Sequence, residues 1–381
     1  MKTITLRYPK QLTFGKGCVQ QFVDDILARK FKRIFVVTFR EMLPALEESF
    51  NRLKRGGVTV ATDLYSGSEP TLESLGQILK HARAEIPDTI VGIGGGSCMD
   101  VAKVVAAQLK NEQTLTEILG TDRLKGRSTY LVCLPTTAGT GSEVSPNAIF
   151  LDPTDNLKKA VVSPYLIPDA SYVDPLLTLT VPSNVTAAVG IDALTHCIEA
   201  YTNKFAHSMV DLYALEGVRL ISANLKRAVE DGKDEVAREN LSLGSLYGGF
   251  CLGPVNTAAV HALAYPLGGK YHISHGLSNA VLLPYVLEYN LVAAPERYAT
   301  IARAIGAKEG RSVLETAKNG IKKIKDIIHD CGIPSKLSEL NIPQSAIADM
   351  AESAMSVTRL LKNNIRTITL NDVKEIYQKA F

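Results

Sequence analysis

TIVGIGGGSCMDVAK (residues 89–103) sets the architecture of the N-terminal half of this 381-residue chain. TIVGI is short, apolar and β-branched, as a strand buried on both faces must be. Glycines follow it at once, and a helical pattern follows them, which is the first half of a βαβ unit. Comparable runs stand at IFVVT (34–38), YLVCLP (130–135) and AVVS (160–163), separated by helical patterns such as LESLGQILKHARAEI (72–86). That alternation predicts a parallel sheet covered by helices on both faces. The opening residues TITLRYPKQLTFGKG read as a short hairpin beside the sheet.

The texture changes near Thr178–Ser183. After VPSN, with Ser183 or Asn184 available as an N-cap, strand-like runs give way to long helical patterns broken by Gly- and Pro-containing turns. Two domains are therefore expected, an α/β domain over 1–181 and an all-α domain over 182–381, as a chain of this length favours.

Composition narrows the function classes. The chain is 46% hydrophobic and 21% charged, with a net charge of +3 and no basic stripe, which speaks against a nucleic-acid partner. Cys18, Cys98, Cys133, Cys197, Cys251 and Cys331 show no paired spacing, so a reducing compartment is expected rather than a disulfide framework. No apolar run reaches the ~18 residues of a membrane span, and the first residues lack a signal-peptide core. A cytoplasmic protein without membrane partners is the expectation.

Two loops point to a ligand in the α/β half. Gly94–Gly96 let a backbone approach a phosphate closely, and the following helix offers free N–H groups and its positive dipole end. Ser97 adds a hydroxyl and Asp100 falls in the first turn. Alone, this loop is equally a tight strand-to-helix turn. A second loop, TTAGTGSEVS (136–145), puts Thr136, Thr137, Thr140 and Ser142 after another strand. Two such loops at strand C-termini favour a nucleotide site over two idle turns.

The helical half carries a different constellation. In GIDALTHCIEAY, Asp192 and His196 stand four residues apart, so one turn of helix aims both at a common spot. His261 and His275 follow in VHALAYPLGGKYHISHG. One carboxylate with imidazoles would suit a divalent first-row metal. Spacing leaves a second reading open, an Asp–His hydrogen bond inside a helix bundle. His81 and His329 lie in polar helical contexts, and the spacing of His207 and His272 commits them to nothing.

Taken together and in this order, GGGSCMDVAK, LPTTAGTGSEVSPNAIF, GIDALTHCIEAY and HALAYPLGGKYHISHGLSNAVLLP resemble the iron-containing, or group III, alcohol dehydrogenases. The ending TRLLKNNIRTITLNDVKEIYQKAF is similar to that family's C-terminus, so the resemblance spans nearly the whole chain. It implies a dehydroquinate synthase-like fold: a Rossmann-like domain, a helical metal-binding domain and a cleft between them. It implies Asp192, His196, His261 and His275 as metal ligands, choosing His275 over His272 because Gly276 follows it. The metal implied is Fe(II), although imidazole ligands equally suit zinc or another divalent ion. Gly95, Gly96, Ser97 and Asp100 would lie along a pyrophosphate. Thr136, Thr137, Thr140 and Lys158 would face ribose and nicotinamide, and Asn147 the reacting carbons. Leu252 and Leu360 would line an apolar substrate pocket, and a dimer is implied.

Two positions depart from the family pattern. Phe39 stands where many NAD-using relatives carry an Asp, with Arg40 next to it; without that carboxylate a 2′-phosphate is not repelled, so NAD or NADP is expected to serve. Tyr265 stands where well-known members have a proton-relaying His. The implied reaction is hydride transfer between a metal-bound alkoxide and nicotinamide C4, on a small alcohol or aldehyde. The rival enzyme reading is a reductase or transhydrogenase for a short hydroxyacid–oxoacid pair. The rival from another class is a non-catalytic nucleotide- or metal-binding protein.

Overall fold

Strands form where short β-branched runs are apolar on both sides. In the computed structural model, which describes residues 3–65, 69–152, 154 and 157–381, the first half runs as follows. β1 (Gln11–Phe14), α1 (Val19–Ala28), β2 (Arg33–Thr38), α2 (Leu43–Arg55), β3 (Thr59–Leu64), α3 (Leu72–Glu85), β4 (Thr89–Gly94) and α4 (Gly96–Gln108) come first. β5 (Gly120–Thr121), β6 (Tyr130–Pro135), β7 (Asn147–Asp152), β8 (Leu157–Val162) and β9 (Ala170–Val173) follow. Six strands make one sheet in the order β1-β9-β6-β4-β2-β3, every neighbouring pair parallel.

Alternation along β2 shows why its sequence is continuously apolar. Phe35 and Val37 pack with Leu75 of α3 and Met99 and Val101 of α4. Ile34 and Val36 pack on the opposite face with Phe22 of α1 and Leu46 and Leu53 of α2. Strand order reverses between β2 and β4, with β3 outside one and β6 beyond the other. In such sheets ligands bind beyond the strand C-termini at that reversal. The ends meeting there carry Phe39 and the Gly94–Gly96 loop.

Some expectations need correction. No hairpin forms at the N-terminus: β1 pairs parallel with β9, Gln11 opposite Ala170, at the edge of the sheet. Its partner comes from the far end of the α/β half, which local sequence cannot announce. AVVS belongs not to the parallel sheet but to β8, which pairs antiparallel with β7 and parallel with β5 in a small second sheet. The Lys158–Lys159 pair opening that strand is incompatible with burial on both faces. β3 and β9 carry weak strand signals, because TVATDL is polar at alternate positions and ASYV is only four residues long.

After Thr180 no strand occurs among the described residues. α5 (Ser183–Tyr201), α6 (Ser208–Glu230), α7 (Glu235–Leu252), α8 (Ala259–Tyr271) and α9 (His275–Asn290) are followed by α10 (Pro295–Ala304), α11 (Val313–Asp330), α12 (Ile347–Met355), α13 (Thr358–Leu361) and α14 (Leu370–Lys379). Neither Ser183 nor Asn184 caps α5; Pro182 holds the cap position without a side-chain bond, and its carbonyl accepts from the Thr186 N–H at 2.8 Å. The fixed φ of proline already suits helix entry, so the helix starts one residue earlier than a hydroxyl cap would place it. No helix among the described residues is long and apolar enough to cross a membrane.

The chain resolves into two compact units. One is Leu6–Thr137 with Gly141–Thr180; the other is Val181–Phe381 with Ala138–Thr140 and the N-terminal residues through Thr5.

Candidate active site

α5 is built from small residues, Ala187, Ala188, Gly190 and Ala193, that let neighbouring helices come close. On it Asp192 and His196 are one turn apart and both are buried. His261 sits in the first turn of α8, and His275 opens α9 rather than lying in a loop. His272, in left-handed backbone (φ 55°), ends α8. The donor atoms of Asp192, His196, His261 and His275 all lie within 4.8 Å of one another. Asp192 Oδ1 is 3.4 Å from His261 Nε2, 3.7 Å from His196 Nε2 and 3.7 Å from His275 Nε2. His196 and His261 stack, ring centroids 4.8 Å apart. Three of the donors are buried, and His275, with its side chain 32% exposed, is the one that reaches solvent.

Two neighbours complete the cluster. Glu199, also on α5, accepts from His261 Nδ1 at 2.6 Å and from the Val260 N–H at 2.6 Å. Asn279, fully buried on α9, donates through Nδ2 to Asp192 Oδ1 at 2.7 Å and faces His261 Nε2 at 3.1 Å and His275 Nε2 at 3.3 Å. Burial alone would push the Asp192 carboxyl up, but the imidazoles, His196 foremost, hold it well below the usual carboxylate range. Burial opposes charge on His261 as well, yet Glu199 and Asp192 pull it up to about 9. Burial pushes His196 down.

α9 enters this cluster closely. A Cβ on Gly276 would stand 2.4 Å from the Ala188 carbonyl oxygen and 2.7 Å from its carbon, so only glycine allows the α9 N-terminus against the α5 backbone. Tyr265 on α8 has its ring 6.4 Å from that of His275, and its hydroxyl accepts from Arg359 at 3.4 Å. Leu252 and Leu360 are both buried.

The loops of the α/β unit show a second focus. Gly95 caps α4, and Gly94 has no room for a Cβ, which would lie 2.6 Å from Cys98 Cβ. That same point is 3.6 Å from the Phe39 ring, and a Cβ on Gly95 would be 3.5 Å from Thr137 Oγ1. Phe39, the glycine loop and Thr137 are thus neighbours, and Thr136 N–H donates to Gly94 at 2.9 Å. Ser97 lies in the first turn of α4, and Thr137 and Thr140 are partly exposed. Arg40 is exposed.

Three predicted residues are held in ways the sequence did not suggest. Asp100 accepts from Ser142 Oγ at 2.5 Å and from the Ile149 N–H at 2.8 Å, so one of its oxygens meets the second loop and the other the strand β7 that follows it. Lys158 pairs with Glu69 at 2.5 Å and is nearly buried. Asn147 opens β7, and its side-chain oxygen is buried with no hydrogen-bond partner among the described residues. Behind the loop lies Lys103, fully buried, donating to the Ser142 carbonyl (2.8 Å), Ser142 Oγ (2.9 Å), Ser145 Oγ (3.4 Å) and the Asn147 carbonyl (2.6 Å). Burial pushes Lys103 down and its neighbour Asp100 up.

Sequence reasoning missed Glu199, Asn279 and Lys103. Glu199 had a signal: with Asp192 and His196 it makes an i, i+4, i+7 stripe of polar residues on an otherwise apolar helix. A lysine at the end of GGGSCMDVAK, leading into the apolar run VVAA of the same helix, was a comparable one. Asn279 had none. His207, uncommitted by spacing, caps α6 through Nδ1, which accepts from the Met209 N–H at 3.2 Å.

Residues 9–175 match the family model for iron-containing alcohol dehydrogenase, and residues 186–381 match that for the C-terminal part of the Fe-containing alcohol dehydrogenase family. The chain is 35% identical over 387 residues to long-chain-alcohol dehydrogenase 1 of Geobacillus thermodenitrificans, covering 100% of this chain and 98% of that one. It is 36% identical over 340 residues to 1,3-propanediol dehydrogenase of Citrobacter freundii, covering 88% and 87%. The crystal structure of a 1,3-propanediol oxidoreductase superposes with a TM-score of 0.96 at 33% identity, covering 100% of both chains.

Proposed function

The chain belongs to the iron-containing alcohol dehydrogenase family, and from that premise we propose which of its residues carry each part of an NAD(P)-linked alcohol dehydrogenase or aldehyde reductase reaction. The single observation that supports the assignment most is the spacing of Asp192 from the three imidazoles. A tetrahedral ion about 2.0–2.2 Å from its ligands needs donors roughly 3.3–3.6 Å apart. Asp192 Oδ1 meets that requirement with His261 at 3.4 Å and nearly so with His196 and His275, both at 3.7 Å. One carboxylate and three imidazoles suit iron(II), zinc and related ions, so the donor set fits the metal of the family. The buried Asp192 charge also needs a cation, since a buried carboxylate is costly unless paired.

A divalent ion held there supplies Lewis acidity toward an alcohol or aldehyde oxygen, and the nicotinamide cofactor accepts or returns the hydride. The chain's own residues bind, orient and move protons. Asp192, His196 and His261 hold from the buried side, and the exposed edge of His275 marks where substrate arrives. Tyr265, beside His275, relays the proton between the substrate oxygen and solvent, its hydroxyl giving up its own hydrogen as it takes one. Gly95, Gly96 and Ser97, at the N-terminus of α4, receive the pyrophosphate. Thr136, Thr137 and Thr140 face the nucleoside, and Asp100 holds the threonine loop in place from behind rather than touching phosphate. Lys158, neutralised by Glu69, orients the ribose, and the orphaned oxygen of Asn147 faces the reacting carbons. Residues 1–181 and 182–381 are then the nucleotide-binding and metal-binding domains.

Phe39, packed beside Gly94, offers no carboxylate to repel a 2′-phosphate and Arg40 is exposed, so both NADH and NADPH serve. The substrate class is a primary alcohol and its aldehyde, as the names of the two relatives suggest for those proteins. The six cysteines, all buried and free, fit a cytoplasmic address, and the weak net charge of +3 fits a protein without a nucleic-acid partner. The edge strand β1 is a surface for pairing in a dimer.

Elemental analysis after anaerobic purification tests the core of this reading. Wild type should carry about one iron or zinc per chain, lost in His261→Ala. A folded wild type that binds NADH yet takes up no metal would refute it.

A further inference from the structure

α5 presents Asp192, His196 and Glu199 along one face, at i, i+4 and i+7. The first two supply donor atoms to the cluster; the third is 2.6 Å from the far side of a ring on another helix. Each Glu199 oxygen has one defined partner: Oε1 takes the Val260 N–H and Oε2 takes His261 Nδ1. Val260 lies in the first turn of α8, whose N-cap residue Ala258 offers no side-chain cap. A carboxylate there takes up one of the orphan N–H groups at that helix start and meets the positive end of its dipole. Glu199 therefore ties the helix carrying the third donor to the helix carrying the first two.

The tautomer of His261 follows from two separate contacts. Glu199 Oε2 can only be met at 2.6 Å by a hydrogen lying between it and Nδ1. On the other side Asn279 Nδ2, which can only donate, faces His261 Nε2 at 3.1 Å. In the neutral ring that a cation requires, Nδ1 thus bears the hydrogen and Nε2 the lone pair, and Nε2 is the atom 3.4 Å from Asp192 Oδ1. Charge points the same way. Glu199 is buried, as is Asp192. Three neutral imidazoles, two carboxylates and one divalent cation sum to zero, the least costly total for a buried centre.

We infer that Glu199 is the positioning residue of the metal centre: it fixes His261 with Nε2 free for the cation and supplies the second negative charge that makes the loaded site neutral. The inference rests on the metal-centre reading above, so the test must separate the two. Glu199→Gln keeps the shape of the side chain but has one accepting oxygen for two donors, and its NH2 confronts either Val260 N–H or His261 Nδ1–H.

Zinc affinity, measured by competition with a chromogenic chelator, needs no turnover. Wild type should bind about one zinc per chain and Glu199→Gln should bind it 10–100-fold more weakly, with the circular dichroism of the metal-free proteins alike. Equal affinity in the two would overturn the role of Glu199 and leave the metal centre standing. A wild type that binds no zinc would overturn both. Should Glu199→Gln not fold, nitrogen-15 NMR of the histidines in zinc-loaded wild type decides instead. A hydrogen on His261 Nδ1, in slow exchange, supports the inference, and a hydrogen on Nε2 overturns it.

Discussion

Gly276→Ala tests whether the spacing of the donors is set by helix packing. The added Cβ would lie 2.4 Å from the Ala188 carbonyl oxygen, 2.7 Å from its carbon and 3.2 Å from Val189 N. All three are backbone atoms of α5, so no rotamer change relieves the overlap. A carbon and a carbonyl oxygen need about 3.3 Å, so the start of α9 must retreat from α5 by roughly 1 Å. His275, the residue immediately before, and Asn279, one turn on, move with it. Metal–ligand distances tolerate only about ±0.2 Å, so the retreat exceeds the tolerance several-fold. The expected loss in zinc affinity is on the order of 100-fold or more, the upper end of what disturbing a supporting residue costs. Overpacking should cost only about 1–3 kcal/mol of stability. NADH binding should be unaffected. Gly320→Ala is the matched control: its Cβ would lie 2.6 Å from Ala302 Cβ, overpacking α10 against α11 away from the cluster. It should lower the melting temperature while leaving zinc affinity unchanged. If Gly276→Ala bound zinc as wild type does, the α5–α9 approach would not be what places His275, and the reasoning would fail.

Three further outcomes follow from the α/β unit. Lys103→Met removes the donor to the Ser142 and Asn147 carbonyls and should cost about 3–5 kcal/mol, read as a lower urea midpoint by tyrosine fluorescence. NADH affinity should fall with it while zinc affinity holds; a change under about 1 kcal/mol would contradict the assigned role. Glu143 is buried and pushed up by that burial from 4.5 to about 7, so the folded chain keeps a proton the unfolded chain has lost between those values. The contribution of Glu143 to stability should be full below pH 4.5 and fall by about 3 kcal/mol as pH rises to 7. Glu143→Gln should remove that slope, and an unchanged slope would assign it elsewhere. Finally, wild type should turn over with both NADPH and NADH, and Phe39→Asp should lower kcat/KM for NADPH at least about tenfold while sparing NADH. A wild type active with NADH alone would end that idea.

The parallel sheet could be read from sequence where burial on both faces forces an uninterrupted apolar run, as in β2, β4 and β6. It could not be read where a strand is half-exposed or very short, as in β3 and β9, or where pairing depends on a distant partner, as in β1. Periodicity within one helix brought Asp192 and His196 together, because a helical turn is a local fact. It could not bring α8 and α9 to them; that meeting depends on glycine-sized contacts such as Gly276 on Ala188. Glu199 and Lys103 stood in plain view as charges in apolar helices. What they bind lies on segments 61 and 39 or more residues away, and no local pattern encodes that.

The pairing of β1 with β9 has a consequence for how the chain emerges during synthesis. Gln11 and Ala170 are neighbours in the sheet, so the first strand made must wait for the last. At about 5–20 residues per second that wait is roughly 10–30 s. Throughout it, β2, β3, β4 and β6 can assemble in order while Gln11–Phe14 remains an unclaimed strand. A nascent chain arrested before Ala170 should therefore present a sheet with β6 at its open edge, a surface for holding chaperones that the finished protein no longer shows.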